Sequence, residues 1–204
     1  MIKRPLTYQK ITCHLIFDVK FDLRKKIRYL AGGHLTSIPS SMTYSSIVSW
    51  ESVRIAFLIA ALKELEVWAA DIQNAYLIVS TKEKVWFIAG DEWGEHAGKP
   101  VIIMRTLCGL KSSGQAWRNF LVDVLKNTLG FTSSLADPDV WYKAQVKPNG
   151  ETYYSYLPIY VDDVISIDME PRKNIKIIGE NFKIKPGSTG KPSVYLCANI
   201  QKLS

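Results

Sequence analysis

The sequence predicts an α+β fold, an antiparallel sheet with helices packed on one face. Three observations carry that reading. Two runs of strand-forming residues, 140–146 and 152–161, flank Lys147-Pro148-Asn149-Gly150, and Asn-Gly is a strong hairpin signal. A further apolar run, 164–167, follows directly on Asp162-Asp163, so two adjacent carboxylates mark a second tight turn. Two segments of helical periodicity, 51–65 and 113–129, bring apolar stripes that need a sheet to cover them.

Taken along the chain, residues 11–21 mix β-branched and aromatic types and lead through the polar turn Asp22-Leu23-Arg24-Lys25 to a second run, 26–31. The pair predicts a basic hairpin. Gly32-Gly33 and the Ser/Thr/Pro-rich stretch 36–46 predict a loop that ends at a helix cap near Ser49. In the helix that follows, Val53, Ala56, Phe57, Ala60, Ala61 and Glu64 keep a three-four spacing. Ile55, Leu58 and Ile59 widen its apolar surface, which predicts packing on more than one side. Residues 67–72 predict a strand with Asp71 at its end, and 84–88 and 101–106 predict two more. The second helix has Trp117, Phe120, Leu121, Val124 and Leu125 on its apolar side, all expected in the core, and stops at Gly130. A last strand is predicted over 194–200.

Composition limits the classes of function. The 204 residues are 47% apolar and 22% charged, enough to bury a substantial core, which excludes a disordered chain. The longest apolar stretch, residues 55–62, is far shorter than the roughly 20 residues that cross a bilayer. The basic start around Lys3 and Arg4 lacks the apolar run of a secretory signal, so an intracellular site, cytoplasmic or nuclear, is expected, with no membrane partner. Cys13, Cys108 and Cys197 are odd in number and far apart, which predicts buried free thiols rather than a disulfide framework or a zinc site. His14, His34 and His96 show no spacing with acids, serine or cysteine that would suggest a triad or metal site. A formal charge of +7 favours polyanionic partners through counterion release. The basic residues cluster at Lys20, Arg24, Lys25, Lys26 and Arg28, and again at Lys183, Lys185, Lys191 and Lys202.

An Asp-Asp turn by itself is most often a solvated tip. The reading changes if the strand that ends at Asp71 lies beside the hairpin carrying Asp162 and Asp163, for three carboxylates then converge at one sheet edge. Like charges at contact distance raise one another's pKa, and hard divalent ions with oxygen ligands relieve the repulsion. Two magnesium ions about 3.5–4 Å apart would suit an in-line displacement at phosphorus.

Tyr160-Val161-Asp162-Asp163 resembles the Y-x-D-D signature of reverse transcriptases, and other blocks accompany it in the order found in copia-type retrotransposons. Asp71-Ile72-Gln73-Asn74-Ala75-Tyr76-Leu77 is similar to the D-x-x-x-A-[FY]-L stretch. Gly109-Leu110-Lys111 with Ala116-Trp117 is similar to the Y-G-L-K…A-W block, and Lys26-Ile27-Arg28-Tyr29-Leu30-Ala31-Gly32-Gly33 to the K-A-R-L-V-A-x-G strand. Gly130-Phe131 leading into Ala136-Asp137-Pro138-Asp139 adds to the match, so the resemblance covers nearly the whole chain.

The resemblance implies an RNA-directed DNA polymerase with fingers over 1–48 and parts of 77–115, and a palm over 49–76 and 116–204. It implies two Mg2+ ions, replaceable by Mn2+, held by Asp71, Asp162 and Asp163. Lys26 and Arg28 match residues that hold the incoming triphosphate, a task suited to the guanidinium fork. Tyr76 matches the aromatic that excludes a 2′-hydroxyl, and Gly109 and Lys111 match the segment near the template base and nucleotide. Tyr160 would lie by the primer terminus, and Arg118 would contact the nucleic-acid backbone. The partners implied are an RNA or DNA template with its primer, and deoxynucleoside triphosphates.

Cys108 stands where the family has Tyr, Cys197 where it has Gly, and Ile27 where a smaller residue is usual. Pro158 enters the strand before Tyr160, a residue tolerated mainly at sheet edges and bulges. Family polyproteins continue into a thumb and a ribonuclease H domain, neither of which follows Ser204 here, so weak primer grip is expected. Two functional readings stay open on the sequence: an active polymerase fragment, or a nucleic-acid-binding remnant that no longer polymerises.

Overall fold

The computed structural model describes residues 7–20, 23–39, 43–196 and 198–201. Phe21, Asp22, Cys197 and Lys202, which carried expectations above, lie outside the described residues. In chain order the elements are β1 (Gln9–Lys10), β2 (Cys13–Val19), β3 (Lys25–Ala31), α1 (Trp50–Leu62), β4 (Glu66–Asp71), α2 (Ala75–Ile78), β5 (Val85–Ile88) and β6 (Pro100–Ile102). Then come α3 (Ser113–Asn127), β7 (Thr132–Ser133), β8 (Val140–Val146), β9 (Thr152–Tyr160), β10 (Asp163–Asp168), α4 (Pro171–Asn181), β11 (Val194–Tyr195) and β12 (Ala198–Asn199). The chain divides into two compact units, Met1–Ser45 with Asn74–Phe120, and Ser46–Gln73 with Leu121–Ser204. No helix among the described residues is long and apolar enough to cross a membrane.

In the first unit β2 and β3 form the basic hairpin that the sequence predicts, in register from Cys13↔Ala31 to Val19↔Lys25. A separate sheet joins β5 to β1 in parallel and to β6 in antiparallel. Ile11, Ala31, Val85, Phe87, Ile103 and Leu110 form the core of this unit. Cys13 and Cys108 are half-buried rather than buried, and Cys13 lies at the margin of that core. Burial pushes the Cys13 thiol up to about 11, which keeps it protonated and unreactive near neutrality.

The second unit is built on a five-stranded antiparallel sheet in the order β4-β10-β9-β8-β7. Strand residues alternate between faces, so the two faces can be read from the register. Ile165 and Ile167 of β10 pack with Val53, Ala56 and Ala60 of α1. Ser166, on the opposite face, takes a hydrogen bond from Asn174 of α4 at 3.1 Å. The end of α3 lies on the Ser166 side too, where Lys126 covers the Trp141 ring and Lys143 donates to the Leu129 carbonyl. The expectation of helices on one face is therefore corrected: α1 covers one face, and α3 and α4 the other. Helices are needed on both faces because β10 is buried on both, from Val164 through Asp168.

The cap of α1 follows the sequence, with Ser49 Oγ accepting from the Ser52 N–H at 3.2 Å. Asp137 ties this helix start to the sheet: its carboxylate accepts from the Ser49 N–H at 2.9 Å and from the Asp139 N–H at 3.1 Å. Of the residues that widen the apolar surface of α1, Ile59 is half-buried, while Ile55 and Leu58 are exposed. The helix's small residues Val53, Ala56 and Ala60 are buried, whereas Ile55, Leu58 and Leu62 point outward. Small residues let the helix approach the sheet closely, and the larger aliphatics occupy the side left over. Trp117, Leu121, Val124 and Leu125 of α3 are buried as predicted, while Phe120 is exposed. Gly130 ends that segment with φ 72°.

Pro158 sits in a central strand, not at an edge. It pairs with Val140 on β8, and on the β10 side the regular pairing skips from Ile159 to Tyr156. The missing amide removes one rung of the ladder without bending the hairpin out of register.

Asp168 closes a buried polar cluster at the far end of β10. Its carboxylate accepts from Tyr153 Oη at 2.6 Å, Asn174 Nδ2 at 3.0 Å and the Glu170 N–H at 3.3 Å. Burial by itself would raise its pKa, but the hydrogen bonds together outweigh that and hold it below the usual carboxylate range. A depressed folded value stabilises the fold above the unfolded pKa of about 3.9 and is lost as pH falls through the folded value. Asp168→Ala is expected to cost about 3 kcal/mol at pH 7 in urea denaturation, with the difference shrinking toward pH 3.

Candidate active site

The passage from β9 to β10 takes two residues. Tyr160 and Asp163 face each other in register, which leaves Val161 and Asp162 as the turn. Val161 adopts φ 58°, a left-handed conformation that β-branched residues avoid, at a cost on the order of 1–3 kcal/mol. Strain of this kind persists where ladders on both sides fix the chain, as β8 and β4 do here through their pairing with β9 and β10.

The register of β10 against β4 places Asp163 directly opposite Asp71. Residues so paired share a face of the sheet, with Cβ atoms about 4.5–5.5 Å apart, so the two carboxylates are neighbours. The third acid is held by its backbone: the Ile72 N–H donates to the Asp162 carbonyl at 2.8 Å. All three are half-buried. The sequence expectation of an acid-ended strand beside the Asp-Asp hairpin is thus met in the backbone.

Residues 183–190 run along the outer edge of β4 and bring in a cation. The Gln73 N–H donates to the Lys183 carbonyl at 2.8 Å, and the Lys185 N–H to the Asp71 carbonyl at 2.9 Å. Ser188 Oγ accepts from the Asp71 N–H at 3.1 Å, and Ala69 and Gly190 exchange a pair of bonds at 2.8 and 3.1 Å. Anchored this way, Lys185 directs its ammonium onto the Asp71 carboxylate in an ion pair. Tyr195, 6% exposed, lies nearby; burial first, then the Asp163 charge, pushes its phenol upward.

Among the described residues no three His, Cys, Asp or Glu side chains are gathered as a metal-ion cluster. The donors that are present nevertheless suit a hard divalent ion. They are carboxylate oxygens, and one of them already holds a cation in the form of Lys185. Lys185 and Tyr195 were not singled out from the sequence as site residues; Lys185 entered only as part of a basic cluster. The one cue was the alternation Phe182-Lys183-Ile184-Lys185, which fits an edge strand laid beside β4.

The other predicted site residues belong to the first unit, except Tyr160, which faces Asp163. Lys26 and Arg28 are two apart on β3 and so share a face of the hairpin, where Arg28 Nη2 lies 3.8 Å from Asp18 Oδ2. Tyr76 is half-buried in the single turn α2, and its carbonyl accepts from the hydroxyl of Thr106, a fully buried residue. Arg118 is half-buried on α3. Lys111 donates its ammonium to the Thr36 carbonyl, which anchors the segment beside it.

Gly109 lies where two backbones meet. It has φ 95°, and a Cβ built there would stand 2.1 Å from the Ala31 carbonyl oxygen. The same approach leaves no room at Gly33, whose Cβ would stand 2.0 Å from the Gly109 oxygen. The Ala31 N–H donates to the Cys108 carbonyl at 2.8 Å, so the end of β3 and residues 108–111 are locked together. Gly109→Ala is expected to lower stability by about 3 kcal/mol in thermal or urea unfolding, from the clash and the disfavoured φ combined.

Comparison with known proteins gives this geometry a context. The family model described as reverse transcriptase (RNA-dependent DNA polymerase) matches residues 1–203. The chain is also 24% identical over 193 residues to the retrovirus-related Pol polyprotein from transposon TNT 1-94 of Nicotiana tabacum. That alignment covers 90% of this chain and 14% of the polyprotein, so the chain spans a small part of its relative's length. With nearly every residue inside the family match, the chain belongs to the reverse transcriptase (RNA-dependent DNA polymerase) family.

Proposed function

We propose that this chain is an RNA-directed DNA polymerase that adds deoxynucleotides to a primer 3′-hydroxyl, with Asp71, Asp162 and Asp163 as its metal-holding carboxylates. The observation that carries the reading is the pairing of Asp71 with Asp163 across β4 and β10, with Asp162 at the adjoining turn. Magnesium bound there, or manganese in its place, would supply positive charge to the attacking and leaving oxygens of phosphoryl transfer. Residues of the chain do the rest of the work. Asp71, whose N–H and carbonyl are both held by the segment 183–190, keeps its carboxylate fixed beside Asp163. Tyr160, in register with Asp163, supports the primer terminus.

In this reading the fingers span 1–48 and parts of 77–115, and the palm spans 49–76 and 116–204. Arg28, with Lys26 on the same face of β3, binds the triphosphate through charge-assisted hydrogen bonds. Gly109 lets the backbone of residues 108–111 come close to β3, and Lys111, steadied by Thr36, borders the nucleotide. Arg118 contacts a backbone phosphate of the nucleic acid and contributes affinity rather than sequence choice. Primer extension by the purified protein on RNA and DNA templates, at low salt with Mg2+ or Mn2+, tests the proposal. Growth of the primer supports it, and a folded protein that binds primer-template without extending it contradicts it.

A further inference from the structure

We infer that Lys185 is a built-in occupant of the carboxylate site: in the metal-free protein its ammonium neutralises Asp71, and a divalent cation binds by displacing it. The inference rests on the metal-holding role proposed above for Asp71, Asp162 and Asp163.

Two carboxylates set opposite each other on one face of an antiparallel pair repel, and a protein without bound metal has to relieve that repulsion. The ion pair between Lys185 and Asp71 does so. It is not a chance surface contact. The Lys185 N–H is bonded to the Asp71 carbonyl at 2.9 Å, and its own carbonyl accepts from Ser188 Oγ at 2.8 Å and the Ser188 N–H at 3.1 Å. Gly187 closes that turn with φ 74°. The side chain therefore starts from a fixed point beside the acid. Its side chain is 36% exposed, so the ammonium has a path to water, and leaving Asp71 does not bury an unpaired charge. A cation that is anchored at its base and free to leave at its tip suits a placeholder better than a permanent structural bridge.

Five consequences separate this role from a merely structural ion pair. Lys185→Met should bind Mn2+ about tenfold more tightly than the unaltered protein, followed by the electron paramagnetic resonance of free Mn2+. It should melt lower in chelator and gain more in melting temperature when Mn2+ is added. Lys185→Arg, which keeps the charge, should retain the original affinity, and Asp71→Asn should abolish the difference between Lys and Met. In the unaltered protein, amine-reactive labelling read by peptide mass spectrometry should show Lys185 becoming several-fold more reactive on addition of Mn2+, a readout independent of how the variants fold. Equal or weaker Mn2+ binding by Lys185→Met, or unchanged labelling of Lys185 at saturating Mn2+, overturns the placeholder and leaves the polymerase reading standing. An absence of Mn2+ binding in both proteins overturns the two together.

Discussion

Replacing Asp162 and Asp163 together by asparagine is expected to reduce primer extension by at least about 10³-fold, equivalent to roughly 4 kcal/mol of transition-state stabilisation. The substitution keeps shape and removes two negative charges from a turn whose backbone is held independently of them. The Ile72 N–H bond to the Asp162 carbonyl and the pairing of Asp163 with Tyr160 and Asp71 involve main-chain groups that asparagine retains. Fold stability should therefore hold or rise, since like-charge repulsion beside Asp71 is relieved. A thermal melt run alongside the extension assay separates lost chemistry from lost fold. Extension that survives the double substitution at full rate would remove these carboxylates from the mechanism.

The contrast between legible and illegible features is physical. The β8–β9 and β9–β10 hairpins could be read because their turns are local, although the second turn falls one residue earlier than the acid pair suggests, at Val161-Asp162, with Asp163 already in β10. The Ser49 cap and the Gly130 stop are local as well. The side of α1 that meets the sheet could not be read, because periodicity gives the spacing of apolar residues and not which stripe finds a partner. There Val53, Ala56 and Ala60 won over the larger Ile55, Leu58 and Leu62. Helix α4 escaped notice although Pro171 opens it and Ile175, Ile178 and Phe182 repeat at helical spacing, a signal weakened by the lysines between them. Lys185 lies 114 residues from the acid it pairs with, and no local pattern encodes a contact at that separation. The carboxylates were placed by motif and the edge segment that serves them was not.

The second large effect concerns the choice of sugar. Tyr76→Ala is expected to raise the use of ribonucleotides relative to deoxynucleotides on the order of 100-fold, measured as the ratio of kcat/KM values. Exclusion by bulk works only if the bulky group cannot yield, and the backbone at Tyr76 is held firmly. Asn74 precedes it in a left-handed conformation with φ 55°, its carbonyl accepts from the hydroxyl of buried Thr106, and the Val79 N–H bonds to the same carbonyl at 3.3 Å. A ring that excludes the 2′-hydroxyl from that backbone would discriminate by a built-in clash rather than by a better contact with the correct substrate. Tyr76→Phe keeps the bulk and should keep the discrimination, which isolates the ring from the hydroxyl. If Tyr76 served only to fill the core, the alanine variant would lose activity toward both nucleotides in equal proportion and melt lower. A change in the ratio is the outcome that packing alone does not produce.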